Sequence, residues 1–408
     1  MTAPGRSRYH AAMLDGTLLI HGGDVVTPRE VVRGADLLVQ GGRIARIARR
    51  IRRPAKGCRV IDARRGFVAP GLIDIQVNGA AGVAFNTCTP SEAARVARAL
   101  AARGVTGFCP TIISCAIDPM LAAVRTLAVP DGRLAGPDGG GPGARSLGLH
   151  LEGPHLNPDR PGAHRPECLR EPSRHELAEL LAAAHGRVAI VTLAPELPGA
   201  LDAIRYLAGR RVCVAAGHSM ASLAEIDAAV DRGLRLATHL YNAMRPPHHR
   251  SPGIVEAALT RDAIAVGLIA DGVHVHPAAV DIALRCKPPD RVILVSDIIS
   301  VAGAPRGTAT LDGRAVESRD GAAWLAGTET LSGASAFLLE GVCNLVAWLD
   351  LPLPRAFQTA SLNPARLLGI ARRKGSLETG KDADVVVLDR DLRLKATVVE
   401  GAVAYEAR

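Results

Sequence analysis

Val212-Cys213-Val214-Ala215-Ala216-Gly217-His218-Ser219 and Leu234-Arg235-Leu236-Ala237-Thr238-His239 each run from an apolar segment straight into a histidine, with an Ala-rich helical stretch between them. A short apolar run bounded by turn signals reads as a buried strand, and strand–helix–strand order implies a parallel βαβ unit. Working outward, the same alternation recurs over 72–77, 105–113, 146–151, 188–193, 212–216, 234–238, 263–269 and 292–296. Eight such runs predict an α/β fold closed as a (β/α)8 TIM-type barrel. An open doubly wound sheet is the competing architecture, but no Gly-rich dinucleotide turn follows the first strand.

Between the strands, helices are expected over 91–103, with Ser91 as N-cap, and over 173–184. Two long helices are expected after the eighth strand, over 334–348 and 353–368. The Gly/Pro-rich insert from Gly136 to Gly143 reads as an exposed loop. The first seventy residues instead carry short apolar runs around Gly-rich turns such as Gln40-Gly41-Gly42-Arg43, the pattern of a small antiparallel β unit. The tail returns to strand character at Val385-Val386-Val387-Leu388. The expected organisation is a small β-sandwich built from 1–69 and 373–408 around a catalytic barrel over 70–372.

With 408 residues, 48% of them hydrophobic, the chain can bury a core of that size. Its formal charge of +9 suits anionic ligands. The basic residues are dispersed, however, and the densest group, Arg49, Arg50, Arg52 and Arg53, has no aromatic platform beside it. That argues against nucleic acid and for a small anion. The eight cysteines form no CxxC pair and read as reduced, buried thiols of an intracellular protein. Neither a membrane span nor the apolar core of a signal peptide follows Met1-Thr2-Ala3-Pro4-Gly5-Arg6, so a cytoplasmic location is expected.

Barrel chemistry gathers at the C-terminal ends of the strands. There the sequence places His150-Leu151-Glu152, Gly217-His218, Thr238-His239, Asp271-Gly272-Val273-His274 and Ser296-Asp297. Singly, each has a bland reading as a hydrogen-bonded polar residue; five at one barrel mouth point to a site. Glu152, His218 and His239 form a two-His, one-carboxylate set for a divalent ion such as Zn2+, with a position left for water. Asp297 is the candidate general acid/base, and His274 the group that orients or polarises a carbonyl.

Together these stretches resemble the N-acetylglucosamine-6-phosphate deacetylase family of the amidohydrolase superfamily. The likeness is carried by Pro70-Gly71-Leu72-Ile73-Asp74, His150-Leu151-Glu152-Gly153-Pro154, Leu193-Ala194-Pro195-Glu196, Thr238-His239-Leu240-Tyr241-Asn242-Ala243-Met244 and Leu331-Ser332-Gly333. The resemblance implies metal ligands Glu152, His218 and His239, and Asp297 as acid/base. It implies contacts to an amino-sugar phosphate from Ala163, Asn242, Ala243, His274, Leu331, Ser332 and Gly333. It also implies a phosphate-binding role for Arg250, reaching into a neighbouring subunit of a homodimer.

Two departures stand out. Where many relatives carry His-x-His after the first strand, this chain has Gln76-Val77-Asn78, so one divalent metal ion per chain is expected. Asp297 is followed by Ile298-Ile299, where small residues are usual. A galactosamine-type deacetylase and a non-catalytic sugar-phosphate sensor remain as rival readings; a cyclic amidase would need the His-x-His pair and a bridging Lys.

Overall fold

The computed structural model describes residues 16–52, 57–134, 141–305, 307–311 and 313–407. Eight parallel strands form the barrel wall: β1 (Leu72–Val77), β2 (Val105–Ile113), β3 (Leu149–Glu152), β4 (Val188–Leu193), β5 (Cys213–Ala216), β6 (Leu234–Ala237), β7 (Ala265–Leu268) and β8 (Val292–Leu294). Each pairs with its sequence neighbour. Every residue of β1, β2 and β7 is buried, as befits parallel strands covered on both faces. The circle closes just beyond β8. There Asp297 N–H donates to the Gln76 carbonyl (3.0 Å), Asn78 N–H donates to the Ile298 carbonyl (2.8 Å), and Val77 bridges Ile298.

The connecting helices begin where local chemistry starts them. The first runs Pro90–Ala101 and is capped by Thr89, not Ser91. Thr89 Oγ1 accepts from Glu92 N–H while the Glu92 carboxylate accepts from Thr89 N–H, and Pro90 takes the first-turn position where no N–H is needed. Ser173 caps Arg174–Ala183.

After β8 the structure departs from the expectation. A four-stranded antiparallel meander (Thr308–Leu311, Arg314–Arg319, Ala322–Leu325, Leu331–Ala334) precedes the next helix, which therefore starts only at Leu338. The second expected helix is two, Leu353–Ala360 and Leu362–Leu367. Pro364 has no N–H for the Ala360 carbonyl, and the Ser361 hydroxyl donates to the Phe357 carbonyl at the break. The Gly136–Gly143 insert falls largely outside the described residues, as does Arg53. Arg49, Arg50 and Arg52 are exposed.

Both chain ends share one sheet, in which Val385–Leu388 pairs antiparallel with Phe67–Pro70. The N-terminal part is mixed rather than antiparallel, since Leu18–Val26 pairs parallel with Arg59–Asp62 and with Phe67–Pro70. The chain crosses back to start that strand beside Thr17, which sets the parallel direction. The cysteines are not uniformly buried: Cys286 is exposed. Among the described residues no helix is long and apolar enough to cross a membrane.

A buried ion-pair group ties this sheet to the barrel. Lys374 Nζ lies 2.7 Å from Asp384 and 3.1 Å from Glu400, and Arg145 holds Glu400 at 2.6 Å. Burial alone would raise the Glu400 carboxyl, but Lys374 and Arg145 outweigh it and hold it down at about 2. A depressed folded-state pKa contributes stability that is complete above the ordinary carboxylate range and lost as pH falls toward about 2. Urea midpoints should therefore fall between pH of about 4.5 and about 2, with a smaller drop in Glu400→Gln; equal profiles would contradict the assignment. Lys374→Met, which strands buried carboxylates, is expected to cost about 3–5 kcal/mol in denaturant unfolding.

Candidate metal centre and cleft

Glu152 ends β3, while His218 and His239 each follow their strand, β5 and β6, after one intervening residue, so the barrel wall delivers all three to one point. His239 Nε2 lies 3.0 Å from Glu152 Oε1 and 3.0 Å from His218 Nε2, and the latter is 3.5 Å from the carboxylate. All three side chains are buried. His218 Nδ1 donates to the Arg160 carbonyl at 2.9 Å, which leaves Nε2 as the lone-pair nitrogen facing the cluster. Nitrogen and carboxylate atoms converging this closely on one point form a donor set that fits a divalent metal. Among the described residues this is one cluster of three such ligands, and the Gln76 and Asn78 side chains do not join it as donors of the same kind. Burial opposes ionisation of Glu152, yet the His218 and His239 rings beside it hold its carboxyl well below the usual range.

Gln76 and Asn78 have other work. Gln76 Nε2 donates to Glu152 Oε1 at 2.8 Å while its Oε1 accepts from the Thr238 hydroxyl. Asn78 Nδ2 donates to Asp297 Oδ1 at 2.7 Å. Asp297 is pushed up to about 6, by burial first and then by the Glu152 charge, against the pull of His239, His274 and Asn78. His274 Nδ1 is 2.6 Å from Asp271 Oδ2, and Asp271 Oδ1 accepts from the N–H groups of Val273 and His274. That clamp fixes the ring and turns Nε2 to the cleft.

The local backbone is held away from its comfortable minima. His218, His239, Tyr241, Ala243 and Asp297 all have positive φ, between 26° and 78°. Non-glycine residues in this region carry strain of order 1–3 kcal/mol each, which the surrounding structure must hold. Gly217 is required beside them, because a Cβ there would sit 2.4 Å from Thr238 Cγ2. Gly333 is required as well, at φ +126° with its missing Cβ 2.6 Å from Ile299 Cγ2.

The cleft is lined by Glu152, His218, His239, His274 and Asp297 at its floor. Ala163, Asn242, Ala243, Leu331, Ser332 and Gly333 also line it, so those expected positions come together. Arg250 does not. It is exposed on the 248–252 loop, against His249 of its own chain. Ile299 lines the cleft and Ile298 is buried behind it.

The sequence reading missed one residue here and the role of another. His164 lines the cleft and accepts at Nδ1 from Ser114, with burial and then the neighbouring His218 pushing it down to about 3. It sits in a loop, away from the strand ends where sequence reading looks. Asp271 was visible at the end of β7, but its bond to His274 spans three residues of an irregular turn.

The meander packs over this floor. Leu311 and the Leu331–Ala334 strand border the cleft, the Arg314 guanidinium donates to the Ala163 carbonyl, and Ala334 N–H donates to the Asp297 carbonyl at 2.9 Å.

Residues 67–405 match the amidohydrolase family. The human N-acetylglucosamine-6-phosphate deacetylase is 41% identical over 388 residues, covering 91% of this chain and 92% of that protein. The N-acetylgalactosamine-6-phosphate deacetylase of Escherichia coli O157:H7 is 38% identical, covering 83% and 88%. A mutant of the Mycobacterium smegmatis N-acetyl-D-glucosamine-6-phosphate deacetylase, solved in complex with N-acetyl-D-glucosamine-6-phosphate, superposes with a TM-score of 0.86 at 33% identity. The match covers 95% of this chain and 99% of that one. The chain belongs to the amidohydrolase family and, within it, to the group of N-acetylglucosamine-6-phosphate deacetylases.

Proposed function

We propose that this protein hydrolyses the acetamide of N-acetylglucosamine-6-phosphate, releasing acetate and glucosamine-6-phosphate. The observation that carries the reading is the buried Glu152–His218–His239 cluster sharing one cleft with a buried Asp297. A divalent ion held by those three residues, Zn2+ being the first choice, supplies Lewis acidity and makes water acidic enough to lose a proton near neutral pH.

The chain's own groups do the rest. Asp297, aimed by Asn78, takes the proton from the attacking water and gives it to the departing amine nitrogen. A carboxyl held near 6 can do both. His274, braced by Asp271, meets the amide carbonyl, and His164 lies across the same cleft. Ala163, Asn242, Ala243 and the Leu331-Ser332-Gly333 segment frame the sugar. Asn78 Oδ1 and Ser332 Oγ are buried without partners, as polar atoms awaiting a ligand are.

Among the described residues lining the cleft there is no Lys or Arg, so a phosphate dianion needs a cation from elsewhere. Arg250 of a second copy in a homodimer meets that need, its guanidinium fork suiting phosphate oxygens. We place the protein in the cytoplasm, where eight cysteines with no disulfide-type spacing stay reduced. The similarity to a galactosamine-type deacetylase keeps the 4-epimer as a second substrate reading.

Acetate release by metal-quantified protein, with the galacto epimer and the unphosphorylated sugar run alongside, tests the reading. Rapid release that needs the phosphate is expected; none from any of the three would leave a sensor on the same scaffold. Asp297→Asn should keep its metal while turnover falls by about 10²–10⁴. Arg250→Ala should raise KM for the phosphorylated sugar about tenfold or more with little change for the unphosphorylated one, since a charge-assisted bond is worth roughly 1.5–3 kcal/mol. Equal KM changes for both sugars would remove Arg250 from phosphate binding.

A further inference from the structure

Glu196, three residues beyond β4, has no part in the chemistry above, yet its carboxylate gathers three donors. Oε1 accepts from Asn157 Nδ2 (2.9 Å) and from Met220 N–H (2.6 Å), and Oε2 accepts from the Ser219 hydroxyl (2.7 Å). Two of those donors immediately follow His218 in the chain. The third opens the loop that ends on His218 from the other side. Asn157 N–H donates to the His218 carbonyl (3.0 Å), Arg160 N–H donates to the Asn157 carbonyl (2.9 Å), and the Arg160 carbonyl accepts from His218 Nδ1. The Asn157 amide oxygen is itself occupied by Asp159 N–H (2.8 Å), so its Nδ2 is left for Glu196.

We propose that Glu196 is a positioning residue for His218, acting at once on its backbone and on its ring. This rests on the role given to His218 as a metal ligand. Through Ser219 and Met220 it holds the chain just past the positive φ of His218, a conformation that needs outside support. Through Asn157 it fixes the loop whose carbonyl selects the His218 tautomer, and an outer partner of this kind sets both ring orientation and ligand basicity. An acceptor-only group suits the task, because all three partners donate. An amide in its place keeps the two bonds to Oε1 and turns the third around, since Ser219 Oγ is able to accept. The loop carrying Arg160 packs tightly here, with a Cβ on Gly162 falling 3.0 Å from His218 Cε1, so small shifts reach the ring.

The test compares parent, Glu196→Ala, Glu196→Gln, Asn157→Ala and Asp227→Ala for Zn2+ affinity by chelator competition, kcat, KM and Tm. Asp227 pairs with Arg261 on the barrel exterior and reports generic loss of stability. Glu196→Ala is expected to bind Zn2+ about 10–100-fold more weakly, the usual effect of losing an outer partner. KM of its metal-saturated form should stay within about threefold, and Glu196→Gln should recover most of the affinity. Asn157→Ala, which cuts one of the two routes, should lose about three- to tenfold; it carries the test should Glu196→Ala not fold. Unchanged affinity in Glu196→Ala or Asn157→Ala beside a tight-binding parent overturns this proposal alone, and so does an equal loss in Asp227→Ala. A parent that binds no Zn2+ overturns the metal reading and this proposal with it.

Discussion

The hydrogen-bonded seam between Gln76-Val77-Asn78 and Asp297-Ile298 is the constraint on which the rest depends. It closes the barrel where the first and last strands meet, and it does so with the backbone of residues whose side chains face the site. Gln76 reaches across to Glu152, Asn78 to Asp297, and the Asp297 carbonyl is taken by Ala334 from the meander. Barrel closure and the orientation of the Glu152 and Asp297 side chains are therefore one mechanical unit. A slip in the seam would move the carboxylate and its amide partner together.

The same economy of parts explains why the strained residues cluster. Parallel strands end abruptly, and turning His218, His239 and Asp297 inward at those ends needs φ values that only a rigid surrounding sustains. The surroundings here are backbone bonds from neighbouring strand ends, the Gly217 contact with Thr238, and carboxylate clamps on the loops behind. Glu196 and Asp271 are clamps of this type: Asp271 accepts from two main-chain N–H groups and holds the His274 ring directly, while Glu196 accepts from one main-chain N–H and two side chains around His218.

Much of this was legible in the sequence. The barrel followed from the alternation of apolar and Ala-rich runs because parallel strands, buried on both faces, are written as continuous apolar stretches; β1, β2 and β4 fall where those runs fall. Residues at strand ends were visible for the same reason, and Glu152, His218, His239, His274 and Asp297 do meet. Loop geometry was not legible. His164 and Glu196 act through long-range hydrogen bonds that no local spacing encodes, and the Asp271–His274 bond depends on an irregular turn. The meander escaped because its strands, such as Thr308–Leu311 and Arg314–Arg319, are short and half-polar, each giving one fully buried side chain, Leu311 or Val316, to a small satellite core. The helix break at Ser361 hid inside an otherwise apolar pattern. Arg250 shows the opposite limit, since nothing in one chain brings it to the cleft.

The central claim is that one divalent ion sits between Glu152, His218 and His239, beside Asp297. Crystals of Zn2+-loaded protein measured on both sides of the zinc absorption edge test it directly. The account predicts a single anomalous peak per chain within about 2.0–2.2 Å of a Glu152 oxygen and of both Nε2 atoms. Absence of density there from protein shown to carry zinc would contradict it, as would a second peak on the Gln76–Asn78 side.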